Sequence, residues 1–148
     1  MRDILFRGKS VNTSEWVEGY LVITTIEPVD DTPIKHYHIE NMTIGAFPNE
    51  FQSGLSETVN PETVGQFTGL TDKNGKKIFE GDIVDCWSEG VNAQGTVQQR
   101  KDGLWIIYPA WQKQIMWGLC PDEYGNTTVK VIGNIHDNPE LMEVTDNA

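Results

Sequence analysis

A chain of 148 residues is long enough for one ordinary domain or for two small ones that share a core. The formal net charge of −11 makes nucleic acid an unfavourable partner, because the average surface repels a phosphate backbone. The first residues contain no apolar stretch, which predicts a cytoplasmic protein with no secretion signal, no membrane span and reduced cysteines.

The first 58 residues predict a β region that ends in an irregular connection. Strands are expected at 4–8 and 16–23, and the turn-forming residues between them predict a hairpin. Residues 27–33 contain two prolines and three acidic residues and predict a loop, which is followed by a short strand at 35–39. Residues 41–58 show little periodicity, so an irregular connection is expected there.

The centre of the chain predicts one helical turn and two sharp turns. Asn60 can cap a helix, Pro61 fits its first position and Glu62 suits its positive end. A strand is expected at 65–69. The pair Asn74-Gly75 then predicts a tight hairpin turn in which both central residues have positive φ, and Gly81-Asp82 predicts a second turn.

The remaining residues predict short strands separated by turns. Strands are expected at 83–87, 96–100, 104–108, 112–119 and 127–135, with a loop at 90–95 and a short helix after Asn138. Such closely spaced strands predict a small barrel. The expected fold is therefore mainly β, with an N-terminal β-hairpin region at 1–58 and a barrel-like region at 59–148, joined in one compact unit.

His36 and His38 share one face of the predicted strand and could chelate a metal ion. A zinc site needs a third and a fourth ligand, and His136 could reach the pair only through the fold. The alternative is a polar, partly buried strand, and we therefore predict no metal site.

The two cysteines do not predict a nucleophile. Cys86 follows Asp85, and Cys120 is followed by Asp122, so neighbouring negative charge is expected to raise the pKa of each thiol. A pairing of one thiol with a histidine has no supporting motif.

Glu80 and Asp82 flank Gly81 and could act as a pair of acid–base groups. The simpler interpretation is turn chemistry, in which Asp82 accepts hydrogen bonds from backbone amides and Glu80 lies in solvent. We predict no catalytic residue and no cofactor, so an enzyme is the least favoured class.

The main cluster of basic residues consists of Lys73, Lys76 and Lys77. On charge pattern it is typical of a solvated hairpin tip. Together with Arg100 and Lys101, it could form a local patch that contacts phosphate.

Aromatic residues between 105 and 117 form the candidate interface. Three tryptophans recur every six residues, and Pro109 is expected to interrupt their strand. Exposed members of this set would form an aromatic patch of the kind that marks protein interfaces. The candidate interface residues are Trp105, Tyr108, Trp111 and Trp117.

Four segments of the sequence, taken in order, resemble the YopX family, which occurs mainly in bacteriophages and prophages. They are residues 4–9 with 15–20, residues 59–70, residues 72–84, and residues 131–135 with 138–141. The resemblance implies a predominantly β protein with an SH3-like barrel, and it is compatible with a homo-oligomer. The family carries no established activity, so no site residue is transferred, and residues 92–122 match no family pattern.

The favoured function is a phage- or prophage-associated, non-catalytic β module that binds protein. The expected partner is the chain itself, and a host or phage protein is a further candidate. The alternative is an accessory protein for nucleic-acid processes, acting through the local basic patch or through an acidic surface that mimics DNA.

Overall fold

The computed structural model describes residues 4–27, 30, 32–40, 56–88, 91–111 and 115–143. Across these residues the protein consists mainly of antiparallel strands, with two short helical segments, so the predicted mainly β class is confirmed. The chain divides into two compact units, one ending at Gln66 and the other beginning at Phe67. The predicted division into 1–58 and 59–148 stays a prediction.

The first unit is an antiparallel sheet with the order β4-β3-β2-β1-β5. Its strands are β1 (Phe6–Lys9), β2 (Trp16–Ile26), β3 (Ile34–Glu40), β4 (Ser56–Thr58) and the start of β5 (Gly65–Thr71). The predicted hairpin of β1 and β2 is confirmed by pairs from Phe6 with Gly19 to Lys9 with Trp16. Strand β4 corrects the irregular connection predicted up to residue 58, whereas residues 41–55 lie outside the described residues.

Strands β2 and β3 approach each other closely at Gly19. A Cβ atom at this position would overlap the backbone carbonyl of Glu40. Glycine therefore permits the backbone approach on which the sheet of the first unit depends. Ile39 and Val59, each 1% exposed, form the buried centre of this unit.

The predicted helical turn is confirmed as a 3₁₀ helix at Pro61–Thr63. The Asn60 side chain accepts a 3.1 Å hydrogen bond from the amide of Glu62, and proline begins the helix as expected. The hydroxyl oxygen of Thr63 accepts a 2.9 Å bond from the amide of Lys9, which joins this turn to β1.

The second unit contains a five-stranded antiparallel sheet with the order β10-β9-β8-β7-β11. The strands of this sheet are β7 (Asp82–Ser88), β8 (Val91–Gln99), β9 (Trp105–Trp111), β10 (Ile115–Gly118) and β11 (Lys130–Asn134). The second unit also contains β6 (Lys77–Phe79), which pairs with β5. Over the described residues this sheet keeps two edges, β10 and β11, so the SH3-like barrel is not confirmed. A helical turn, α1 (Glu140–Glu143), follows.

The loop predicted at 90–95 is wrong, because β8 begins at Val91 and pairs with β7. Ala93 and Gly95 are buried opposite Cys86 and Val84. Such small buried residues alternate with polar ones here, so the strand shows little of the hydrophobic alternation that identifies a strand in sequence.

The interruption predicted at Pro109 is also wrong, because β9 continues to Trp111. The pairs between β8 and β9 end at Tyr108. Pro109 therefore removes no hydrogen bond from that ladder, which is the condition under which a strand tolerates proline.

One face of the five-stranded sheet carries the main hydrophobic core. Its buried residues are Ile78, Val84, Cys86, Ala93, Val97, Ile107, Leu119, Val129 and Val131. The nearly complete burial of Ile78, Val84 and Val97 indicates that this core holds the second unit together.

Three turns of the second unit share one geometry. In the first, the amide of Gly75 donates to the carbonyl of Asp72, and the amide of Asp72 donates to the carbonyl of Lys76. The turns at 100–104 and 122–126 repeat both bonds, and each places glycine at positive φ. Among the described residues Ser14 is the one non-glycine with positive φ, so Asn74 does not adopt the positive φ predicted for it. The turn is the three-residue type, in which glycine follows a type I turn.

Among the described residues, no helix has the length and apolar character needed to cross a bilayer.

Candidate functional site

The strongest candidate surface is the outer part of the β2–β3 hairpin, called here the arm, which comprises residues 20–26 and 34–39. Its register runs from Leu21 opposite Ile39 to Ile26 opposite Ile34. Strand alternation divides the arm into two faces. The even face carries Tyr20, Val22, Thr24, Ile26, Ile34, His36 and His38, and the odd face carries Leu21, Ile23, Thr25, Lys35, Tyr37 and Ile39.

The arm exposes large apolar side chains on both faces. Ile26 and Ile34 are 51% and 49% exposed on the even face, and Ile23 is 48% exposed on the odd face. Tyr20 adds a fourth exposed apolar side chain on the even face, at 44%. The exposed apolar residues Ile23, Ile26 and Ile34 lie towards the outer end of the arm, whereas Ile39 at its inner end is buried, so the first unit leaves the outer end uncovered on both faces.

The arm is also almost free of charge. Lys35 is the one charged residue within it, whereas the exposed Glu27 and Glu40 border it and the whole chain has a net charge of −11. Depletion of charged residues is typical of the centre of a protein interface. The sequence shows apolar side chains at both even and odd positions of residues 21–26, a pattern that is more typical of a strand buried on both faces.

His36 and His38 lie at the centre of the even face. Their rings are stacked, with centroids 6.1 Å apart and an angle of 17° between the planes. His38 Nε2 lies 3.4 Å from the hydroxyl of Thr24, and His38 Nδ1 lies 3.3 Å from the hydroxyl of Thr58. His136 belongs to the second unit, where its ring lies against Gly81. Within the described ranges no three histidine, cysteine or acidic side chains form a group that could hold a metal ion.

The aromatic residues predicted as an interface lie on different faces of the second sheet. Trp105 and Trp117 are half-buried and pack against the hydrophobic core. Tyr108 is 40% exposed, and its odd separation from Trp105 places it on the opposite face of β9. The side chain of Trp111 lies outside the described residues. The aromatic interface stays a prediction, and Tyr108 is the member whose exposure agrees with it.

Both cysteines line a pocket of about 190 Å³ in the second unit, together with Trp117. Cys86 is 5% exposed, and its thiol donates a 3.2 Å hydrogen bond to the carbonyl of Ala93. Burial, and secondly the charge of Asp85, raise the pKa of Cys86 to about 11. The direction agrees with the sequence prediction, although burial is the larger cause. A thiol with this pKa does not act as a nucleophile at neutral pH.

The structure gives Asp82 the turn role predicted for it. Its carboxylate is 1% exposed and accepts a 2.8 Å hydrogen bond from the amide of Phe79, whereas Glu80 is exposed. Gly81 between them has positive φ, as a sharp turn requires.

The basic residues predicted as a phosphate-binding patch occupy two separate hairpins. Lys73 and Lys76 are exposed in the turn before β6, and Lys77 lies 5.9 Å from the centre of the Phe67 ring. Arg100 is paired with Asp102 at 3.2 Å in the turn between β8 and β9. The nucleic-acid function stays a prediction that this placement does not strengthen.

Comparison with known proteins shows a family match and similarity to a solved structure. Residues 5–143 match the family described as YopX protein. The crystal structure of protein EF1440 from Enterococcus faecalis is similar over 96% of this chain and 99% of its own, with 21% sequence identity and a TM-score of 0.42. No curated protein matches the sequence. Because the family match extends over nearly the whole chain and confirms the resemblance seen in the sequence, this chain belongs to the YopX protein family.

Proposed function

We propose that this protein is a non-catalytic β module that assembles with copies of itself through the arm. The observation that carries the proposal is the exposure of Ile23, Ile26 and Ile34 on both faces of one hairpin. Contiguous exposed apolar residues of this kind mark interaction surfaces.

A second copy is the favoured occupant of the arm on electrostatic grounds. Two chains that each carry a net charge of −11 repel one another on average. The arm has no acidic residue within it, so contact through it brings no carboxylates together except those of Glu27 and Glu40 at its borders. Lys35 adds one positive charge to the arm, which is attracted to the net negative charge of the second chain.

The apolar area is sufficient to matter energetically. Burial of the exposed half of one isoleucine side chain contributes roughly 1 kcal/mol, so Ile26 and Ile34, which share the even face, contribute roughly 4 kcal/mol when two chains meet through that face. This free energy is comparable with the lower estimates of the free-energy cost that two proteins incur when they lose translational and rotational freedom on association.

The edge of β3 offers a further means of contact. Strand β4 pairs with β3 only between His38 and Glu40, and the amide of Val59 donates to the carbonyl of Tyr37. No strand in the described part of the chain lies beside Ile34–His36 on that side. Open backbone groups at a strand edge can pair with the strand of another chain.

The proposal extends to the setting in which the module works. Membership of the YopX family supports a phage- or prophage-associated protein, and we place it in the bacterial cytoplasm. Closure of the second unit as an SH3-like barrel belongs to the same proposal, supported by the four consecutive antiparallel pairings of its five-stranded sheet.

The test compares oligomeric mass in an arm variant and in a matched control. The arm variant combines Ile23→Thr, Ile26→Thr and Ile34→Thr, because threonine keeps the β preference and removes apolar area. Leu104→Thr is the control, since Leu104 is 50% exposed but lies in the second unit.

We expect light scattering after gel filtration to give a defined oligomer for the wild type and the control. The buffer contains EDTA, so that metal ions do not contribute to the association. The arm variant should give a monomer with an unchanged circular dichroism spectrum. A wild-type monomer at every accessible concentration, or an arm variant that keeps the wild-type mass, would overturn the proposal. Capture of a host or phage protein by a monomeric wild type would replace self-assembly with the other partner class.

A further inference from the structure

We propose that His36 and His38 form half of a transition-metal site, completed when a second copy supplies the same pair. The ion class is Zn²⁺, which imidazole nitrogens bind well. The second half of the site rests on the proposed self-assembly, whereas the histidine pair is a feature of the single chain.

The position of the pair suits an ion held between two copies. Both side chains project from the even face of the arm, between the exposed apolar residues Tyr20 and Ile26 of the neighbouring strand. Both residues are half-buried, so neither is enclosed by its own unit. In an isologous contact, residues that lie near the two-fold axis meet their own copies, so a pair at the centre of the contact would face the same pair of the second copy.

The ring contacts of His38 leave one nitrogen available as a ligand. When Nδ1–H donates to the hydroxyl of Thr58, the lone pair of Nε2 is free to bind a metal ion. The 3.4 Å separation between Nε2 and the Thr24 hydroxyl is at the long limit of a hydrogen bond, so a metal bond can replace it at low cost. Thr58 then acts as the outer partner that orients the ligating ring.

The spacing of the pair also permits chelation. Tetrahedral zinc with bonds of about 2.0–2.1 Å holds two ligating nitrogens about 3.3 Å apart. The stacked rings have centroids 6.1 Å apart, so the proposal requires rotation of the side chains to bring one nitrogen of each ring to that separation. A structural zinc site has four ligands, and no third histidine, cysteine or acidic residue joins the pair among the described residues of one chain.

Electrostatics favour an ion at this place. Four neutral imidazoles leave the two positive charges of the ion uncompensated. Each chain carries a net charge of −11, so an ion between two copies reduces their repulsion. Zinc should therefore increase association in addition to occupying the pair.

The experiment uses the full chain, stripped with EDTA, dialysed and titrated with ZnCl₂ in a calorimeter, with native mass spectrometry on the same samples. We expect one zinc ion for every two chains and a larger fraction of dimer. His36→Gln and His38→Gln should each weaken zinc binding by at least about tenfold, as expected for loss of a ligand. His136→Gln and Cys120→Ser are the controls for the remaining histidine and the exposed thiol, and both should bind as the wild type does.

Three results would overturn the metal site: no zinc uptake by the wild type, uptake that survives His36→Gln, or one ion per chain with no change of mass. An EDTA-resistant oligomer that takes up no zinc would overturn this inference and leave the proposed function standing. A chain that is monomeric in EDTA but dimeric in zinc would support the metal site and overturn metal-free self-assembly through the arm.

Discussion

Asp72 Oδ2 accepts a 3.0 Å hydrogen bond from the amide of Val131, which lies 59 residues further along the chain. The other oxygen of Asp72 accepts bonds from the amides of Asn74 at 2.8 Å and Lys76 at 2.9 Å. The Asp72 residue is 2% exposed. One buried carboxylate therefore fixes the turn before β6 and joins that turn to β11.

Replacement of Asp72 by alanine should destabilise the protein strongly. Three backbone amides would lose a charged acceptor, and we expect the free energy of unfolding to fall by about 3 kcal/mol. Asp122→Ala is the matched control, because Asp122 accepts the same two bonds in its own turn but is exposed, so water can replace it. We expect that change to cost about 1 kcal/mol or less. Urea unfolding followed by circular dichroism measures both values, and equal losses would contradict the special role of Asp72.

The stability contributed by Asp72 should depend on pH in the acid range. Burial raises the pKa of Asp72. The hydrogen bonds from the amides of Val131, Lys76 and Asn74, together with the charge of Lys76, lower the pKa by more than burial raises it, so the pKa lies below the ordinary 3.8. A carboxyl whose pKa is lower in the folded than in the unfolded state stabilises the fold fully above the unfolded pKa. That stability is lost as pH falls through the folded pKa.

The variant Asp72→Asn isolates this contribution, because asparagine keeps one acceptor oxygen and does not titrate. We expect its free energy of unfolding to fall less steeply than that of the wild type as pH is lowered below about 4. Urea unfolding at a series of pH values gives the two curves. Parallel curves would show that Asp72 has the same pKa in both states.

Gly19→Ala should destabilise the first unit through a clash of side chain with backbone. The new methyl group would overlap the Glu40 carbonyl, which belongs to a paired strand and cannot move away alone. We expect a loss of about 2 kcal/mol, typical of overpacking. Gly118→Ala is the control, since its methyl group would meet only Cys120 Sγ at 3.6 Å and should change stability by less than about 0.5 kcal/mol. Thermal unfolding distinguishes the two, and a neutral Gly19→Ala would mean that β2 and β3 can separate locally.

The features that could be predicted from sequence depend on interactions between residues that are close together along the chain. The 3₁₀ helix follows from Asn60, Pro61 and Glu62, because its cap bond joins residues two apart. The positions of the turns at Gly75 and Gly103 could be predicted for the same reason. The positive φ predicted for Asn74 was wrong. The bond between Asp72 and Val131 could not be predicted, since no local pattern relates the two positions.

The candidate site was missed for a different physical reason. Predictions of function considered titratable and aromatic residues, whereas the arm is defined by exposed isoleucines and by lack of charge. A strand with apolar residues at both parities is usually buried on both faces, so sequence alone does not indicate that Ile23 and Ile26 are exposed. The prediction that His36 and His38 share a face was sound, because alternation along a strand is local.

The two cysteines should differ sharply in reactivity. Cys86 is buried, and its pKa of about 11 leaves only about 0.1% thiolate at pH 8, whereas Cys120 is exposed. We expect iodoacetamide to modify one cysteine in the native protein and two in urea, as counted by intact mass, and peptide mapping to place the native label on Cys120. Cys120→Ser should remove native labelling. Rapid double labelling without denaturant would contradict the burial of Cys86.

Trp105 and Tyr108 offer a direct comparison of core and surface on one strand. Trp105 packs against the core of the second unit, whereas Tyr108 is 40% exposed on the other face of β9. We expect Trp105→Ala to lower the free energy of unfolding by about 3 kcal/mol and Tyr108→Ala by less than about 1 kcal/mol, measured by urea unfolding. If the aromatic interface includes Tyr108, Tyr108→Ala should also weaken association with a partner while stability stays unchanged. A larger stability loss for Tyr108→Ala than for Trp105→Ala would reverse the assignment of the two faces.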